Sequence, residues 1–299
     1  MALDTRTRVR PNGPGTPVHI SHPGPAEPDR IQCARGTLKR VSATLTPGKT
    51  ICESIADALA PHGLRAAALR FDGLTFAPLR YVRPSYCPDG TRIAFYTKTY
   101  APPGTVRVET VAATWGNKDG MPFIHMHGVW SDAEGTHVGG HILPYEAIVA
   151  RPARLRAVGT SEVAFGVFHD HETGFDLFGL APDTPGTAEG TFVALRLRPN
   201  VDLVKGIEDA CRAKGIRSAR ILSGIGSTAG VDLNGQPTVM KLPTEHVITG
   251  GSIEPDSHGN PRLEVTTELV DVDGIVHRGT PTRGENPVLI CFELFLEVT

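Results

Sequence analysis

Two stretches decide the fold: Leu45-Thr-Pro-Gly-Lys-Thr-Ile51-Cys-Glu-Ser-Ile55-Ala-Asp-Ala58-Leu59-Ala-Pro-His62-Gly63-Leu-Arg65-Ala-Ala-Ala-Leu69 and Leu197-Arg-Pro-Asn-Val-Asp-Leu203-Val-Lys-Gly-Ile207-Glu-Asp-Ala210-Cys211-Arg-Ala-Lys-Gly215-Ile-Arg217-Ser-Ala-Arg-Ile221, which align without gaps. Each reads as strand, proline turn, helix, glycine stop, strand. Ile51, Ile55, Ala58 and Leu59 make one helical apolar stripe, and Leu203, Ile207, Ala210 and Cys211 make another. Gly63 and Gly215 stand where a helix C-cap belongs. A single amphipathic helix in each half must cover a sheet.

Beyond the helices both halves turn to strand patterns, at 106–113 and 247–253, and both close on an Asp-x-x-Gly turn, Asp132 to Gly135 and Asp271 to Gly274. The fold class is therefore α+β: two tandem domains, each a mainly antiparallel sheet covered by one principal helix. Residues 1–34 are rich in Pro, Gly and Arg and are expected to form a flexible arm, in which Arg6, Arg8 and Arg10 could serve an anion. The first domain then spans 35–180 and the second 181–299.

The segment His125-Met-His127-Gly-Val-Trp-Ser-Asp-Ala-Glu-Gly-Thr-His137-Val-Gly-Gly-His141 concentrates imidazoles in one predicted hairpin. In a strand over 123–129, alternation puts His125 and His127 on one face, and the return strand brings His141 beside them. His137 reads as a turn residue rather than a fourth member. In the second copy the same register holds Glu264, Thr266 and Thr280, so the scaffold is repeated without the imidazoles. Histidines needed only for folding would not be confined to one copy. A second pair, His169 and His171, lies in the joining segment and reads by default as a polar turn.

Lys plus Arg (30) nearly balance Asp plus Glu (32), for a formal charge of −2, which gives no global attraction to nucleic acid. Cys33, Cys52, Cys87, Cys211 and Cys291 are odd in number and scattered, indicating neither a disulfide framework nor a cysteine zinc site. No run approaches eighteen apolar residues, and the first residues lack an apolar signal core, so a cytoplasmic protein without membrane contact is expected.

Together the Pro-Gly strand-to-helix turn, His62-Gly63-Leu-Arg-Ala-Ala, Ser223-Gly-Ile-Gly-Ser227, Glu109 and the His125-x-His127 to Gly139-Gly140-His141 pattern resemble the plants-and-prokaryotes conserved (PPC, or DUF296) domain, in two tandem copies over about 35–299. The resemblance implies small α/β domains with antiparallel sheets, assembly into homo-oligomers, and metal ligation by His125, His127 and His141. The first copy departs from the pattern, carrying Arg70-Phe-Asp-Gly-Leu-Thr in place of Ser-Gly-Ile-Gly-Ser. Plant members carry an AT-hook; no Arg-Gly-Arg-Pro core exists here, so nucleic acid is not an expected partner.

Three neutral imidazoles without a fourth protein ligand suit Zn²⁺ with an open position, with Mn, Fe, Co or Ni as alternatives. Glu109 is the first candidate for proton transfer, and its apparent counterpart Glu245 leaves a structural role equally open. Arg80, Arg83, Tyr96 and Lys98, in an insertion unique to the first copy, are candidates to clamp a carboxylate; Trp115 either walls the pocket or fills core. The function expected is a metal-dependent hydrolase or lyase acting on a small anionic carbonyl or carboxylate metabolite by hydrolysis, hydration or carbon–carbon cleavage. The alternative is a DNA-binding or regulatory protein, or a non-catalytic metal or metabolite sensor.

Overall fold

A computed structural model of the chain describes residues 9–10, 19–184 and 186–299. The two repeats fold alike. Helix α1 (Ile51–Leu59) starts at a capping box, in which Thr50 accepts from the Glu53 amide and Glu53 accepts from the Thr50 amide; α2 (Leu203–Ala213) is capped by Asp202, which accepts from the Lys205 amide at 2.8 Å. Gly63 and Gly215 follow in the left-handed region, at φ 62° and 65°, where a side chain would be strained.

The strands of the first copy are β2 (Lys39–Leu45), β3 (Ala66–Asp72), β4 (Tyr81–Val82), β5 (Thr110–Lys118), β6 (Met121–Ser131), β7 (His137–Ile142) and β8 (Ala153–Thr160), in the order β2-β8-β3-β5-β6-β7-β4. A hairpin of β9 (Phe165–Asp170) and β10 (Phe175–Leu180) is added to β5 by a short parallel pairing. The second sheet is built the same way. It uses β11 (Phe192–Leu197), β12 (Ala219–Thr228), β13 (Thr244–Ile248), β14 (Thr267–Val270), β15 (Val276–Gly279) and β16 (Val288–Val298), with β1 (Ile31–Gly36) on its edge, in the order β15-β14-β13-β12-β16-β11-β1. Thr267 faces Gly279 where Gly128 faces Gly140, so the hairpin register read from the Asp-x-x-Gly turns is kept. In both turns the aspartate accepts two backbone amides, Asp132 from Glu134 and Thr136, and Asp271 from Asp273 and Ile275.

The layers follow from alternation. On one face of the first sheet Leu69, Ala113, Trp115, Ile124 and Met126 pack under Ile51, Ile55 and Leu59 of α1; on one face of the second, Leu195, Ile221, Leu294 and Leu296 pack under Leu203, Ile207 and Cys211 of α2. The remaining two faces meet each other through Ala66, Ala68, Phe165, Phe178, Phe192 and Phe295, and through Ala112 against Ile225 and Val247. The result is helix, sheet, sheet, helix, in which both imidazole-bearing positions of β6 point into the space between the sheets.

The flexible arm expected over 1–34 gives way to packed chain from His19 onward; Arg6 and Arg8 lie outside the described residues. Ile20 is buried against Ile93, Ala94, Ala229 and Leu289, and its backbone exchanges two hydrogen bonds with the Asn200 amide side chain. Arg30 clamps the buried Glu172 carboxylate with two nitrogens, at 2.6 and 2.9 Å. Strand β1 then completes the second sheet, so the chain preceding the first copy belongs structurally to the second.

Candidate metal centre

His127 and His141 are directly opposed across β6 and β7, and His125 lies two residues before His127 on the same face. The approach depends on Gly140: a Cβ there would lie 2.4 Å from the Val82 carbonyl, on the strand that pairs beside His141. The Nε2 atoms of His125 and His127 are 3.0 Å apart, and one nitrogen from each of the three rings falls within a span of 4.8 Å.

The nitrogens facing away are all held. His125 Nδ1 meets Glu293 Oε1 at 2.9 Å, His127 Nδ1 donates to the His246 carbonyl at 3.0 Å, and His141 Nδ1 meets the Tyr96 hydroxyl at 3.3 Å. Such outer partners fix ring orientation and tautomer, leaving the inner nitrogen as a lone-pair donor. His246 is itself locked between the Thr228 and Thr267 hydroxyls, at 2.8 and 3.1 Å. Burial, reinforced by the neighbouring imidazoles, holds His127 and His141 well below the ordinary histidine pKa, so both are neutral at physiological pH.

Glu293 and Glu245 come from the second copy, on β16 and β13, and enter the gap between the sheets. Glu245 Oε1 is 3.9 Å from His127 Nε2, beyond hydrogen-bond reach, and burial pushes this carboxyl up to about 8. A cavity of about 200 Å³ opens in front of the three imidazoles, walled by Phe95, Phe123, Phe175, Phe178 and Ile290. The centre is thus completed between the two copies of one chain: the first supplies imidazoles, the second supplies carboxylates and a backbone carbonyl.

The donor set fits a divalent transition metal. Tetrahedral bonds of 2.0 to 2.1 Å from zinc to nitrogen separate neighbouring ligand atoms by about 3.3 Å, against 3.0 Å for His125 and His127 here and no separation beyond 4.8 Å. Buried Glu245 Oε2 lacks a hydrogen-bond partner in the cavity lining, a polar atom that a neighbouring cation would compensate.

The other sequence candidates fall elsewhere, with one exception. Tyr96 reaches the centre through His141; burial and the Glu245 and Glu293 carboxylates raise its phenol well above its ordinary pKa. Glu109 does not stand at the imidazoles. Pairing of Thr110 with Val129 carries it to the far end of the hairpin, roughly 10 Å along the strand from His127, where it accepts from the Ser131 amide and hydroxyl and lies 3.5 Å from exposed His137. Glu245 occupies the gap instead. Trp115 pairs with Ile124, on the helix-facing side, and donates to the Leu64 carbonyl at 2.9 Å, so it fills core. Arg83 donates to the Tyr100 hydroxyl at 2.6 Å and stacks on that ring, while Lys98 is exposed; neither they nor the half-buried Arg80 line the cavity. His169 meets Asp176 at 3.3 Å beside the ring of His171 in an exposed turn.

Glu293 was the missed residue. Its signal was a lone acid midway along the apolar run Val288-Leu-Ile-Cys-Phe-Glu293-Leu-Phe-Leu, where an ionisable side chain is rare unless paired.

Residues 185–298, the second copy, match the model of the Plants and Prokaryotes Conserved (PCC) domain. No curated protein matches the chain. Similar solved structures include a plant- and prokaryote-conserved protein of Pyrococcus horikoshii (18% identity, 50% of this chain and 94% of that one, TM-score 0.39). A metal-containing protein of Archaeoglobus fulgidus is similar at 19% identity, over 50% of this chain and 97% of that one, with TM-score 0.38. A protein of Ralstonia eutropha described as a candidate DNA-binding protein is similar at 20% identity, over 47% and 90%, with TM-score 0.36.

Three expectations are corrected. The hydrolase or lyase reading finds no counterpart in the family description or in these relatives, which are described by conserved domain, metal content or DNA binding. Nucleic acid cannot be set aside as a partner on net charge, since relatives are described as candidate DNA-binding proteins and charge is distributed locally. The small anionic substrate falls with the residues meant to clamp it, because Arg80, Arg83 and Lys98 do not face the cavity.

Proposed function

We propose that the protein is a metal-centred regulatory receptor, in which His125, His127 and His141 hold one divalent transition-metal ion, zinc first, and the adjoining cavity receives a small molecule. The observation that carries this reading is the convergence of three imidazoles whose outer nitrogens are all occupied by Glu293, the His246 carbonyl and Tyr96. Bound there, the ion supplies a Lewis-acidic position open to a ligand oxygen or nitrogen. The protein orients the imidazoles, buries them between two sheets and limits access to water. Zinc leads because imidazole suits it and an all-nitrogen, thiolate-free set disfavours softer ions; Mn, Fe, Co and Ni are the competitors. Five free cysteines, four of them buried, fit a reducing cytoplasm.

Elemental analysis of purified protein tests the reading. About one equivalent of metal per chain is expected, lost in His127→Ala with the fold retained by circular dichroism. Failure of the protein to retain Zn²⁺ or Co²⁺ after reconstitution overturns it, and conversion of a bound small molecule to product overturns the receptor role.

Duplex DNA is a second reading, favoured by one further observation. Arg40, Arg70, Arg156 and Arg220 gather along an open groove of about 690 Å³ that takes residues from both sheets. Glu297 neutralises part of it, pairing with Arg40 at 2.5 Å and Arg220 at 2.6 Å. Four guanidiniums set a limit of about −4 on the slope of log affinity against log salt. Absence of salt-dependent duplex binding, or binding unchanged in Arg156→Ala and Arg220→Ala, refutes it.

A further inference from the structure

The cavity in front of the imidazoles carries information about its occupant that the metal alone does not. None of the residues lining it is a lysine or arginine, whereas Glu245 and Glu293 both line it and both are at least nine-tenths buried. One oxygen of each, Oε2, is buried without a hydrogen-bond partner. A metal held on the inner nitrogens does not answer for Glu293. That carboxylate bonds the opposite edge of the His125 ring, through Nδ1, so an ion on Nε2 lies across the ring from it. A buried acceptor left unpaired costs about 1 to 3 kcal/mol, more when charged, and native sites seldom carry two without a partner arriving from outside.

Most of the remaining wall is apolar, with Phe95, Phe123, Phe175, Phe178, Val167 and Ile290, and the polar exceptions are Tyr96, Asp176, Ser227 and Cys291. The volume, about 200 Å³, compares with the ~150 Å³ that admits benzene in an engineered apolar cavity. A carboxylate ligand brings acceptors and no donor, so it leaves both free oxygens unanswered.

We propose that the cavity selects a single-ring or similarly compact apolar molecule, uncharged or cationic, that brings one or two N–H or O–H donors to the free oxygens of Glu245 and Glu293, and that it rejects carboxylates. The donors satisfy the second copy's acids while the ring fills the phenylalanine walls. The assignment rests on the receptor reading of this site and specifies its ligand class. It also gives the tandem arrangement a purpose, since the copy without histidines reads the ligand that the other copy anchors.

Isothermal titration calorimetry with benzylamine, benzyl alcohol and benzoate tests it, on metal-replete and on metal-stripped protein, with metal content measured on the same samples. Benzylamine or benzyl alcohol is expected to bind the stripped form at least tenfold more tightly than benzoate. Glu245→Gln, which keeps the shape of the side chain, is expected to narrow that preference at least threefold, and Phe175→Ala to weaken all three probes. Benzoate binding to the stripped form as well as or better than the other two overturns the proposal, as does the absence of binding by all three. Protein that takes up no metal overturns the metal reading instead, while the stripped-form preference still decides the ligand class.

Discussion

Replacing Glu293 should weaken metal binding without touching a ligand. Its carboxylate is almost wholly buried and meets His125 Nδ1 at 2.9 Å, while the ring presents Nε2 to the centre. Outer-sphere carboxylates of this kind are worth 10- to 100-fold in metal affinity, or about 1.4 to 2.7 kcal/mol. Glu293→Gln keeps an acceptor oxygen but loses the charge, and a charge-assisted hydrogen bond is roughly twice as strong as a neutral one, so about tenfold is expected. Glu293→Ala removes the acceptor and frees the ring to rotate, so about 100-fold is expected. Tyr96→Phe should cost less, about threefold, because its 3.3 Å contact is longer and uncharged. Competition with a chelating dye of known zinc affinity at pH 7.5 measures all three. Affinities within twofold of the parent for Glu293→Ala would refute the claim that the second copy orients the first copy's imidazoles.

Three other predictions follow from the packing around this site. Asp170 lies between Arg196 and Arg198, at 2.6 and 2.5 Å; burial alone would raise its carboxyl, but the guanidiniums and the Thr173 amide and hydroxyl outweigh it and hold the pKa to about 2. Its folded pKa is depressed from 3.8, so roughly 2 kcal/mol of stability is present above pH 4 and is lost as pH falls toward 2, and Asp170→Asn should remove this acid dependence from denaturant midpoints. Gly140→Ala should push β4 off β7, since its Cβ would meet the Val82 carbonyl at 2.4 Å, and should cost more zinc affinity than stability, read by dye competition beside thermal melting. Thr50→Ala breaks the capping box of α1 and should cost about 1 kcal/mol in urea denaturation with metal affinity unchanged.

The fold was legible because its determinants are local. Helix stripes, the glycines at 63 and 215 and the two Asp-x-x-Gly turns each act within a few residues, and each recurs in the second copy. The strand bounds 106–113 and 247–253 were less well placed, since the strands there run Thr110–Lys118 and Thr244–Ile248. Residues 19–34 were read as loose because Ile20 is one apolar anchor among prolines, and its burial depends on Asn200 and Leu289, some 180 and 270 positions away.

The imidazoles were legible for the same reason, being brought together by one hairpin, whereas their supports were not. Glu109 and Glu245 illustrate the limit. Aligned by sequence they look equivalent, but pairing sets Glu109 beside Ser131, while Glu245 pairs with Val270 and shares the inward face of β13 with Val247. A shift of one position in a strand moves a side chain to the opposite face, so two acids that align differ wholly in surroundings, one solvated and one buried against His127. Position in the repeat therefore predicts backbone, and facing predicts chemistry. In this protein the facing is set by how two duplicated sheets pack, which is why a centre whose imidazoles all lie in one copy depends on Glu245, the His246 carbonyl and Glu293 of the other.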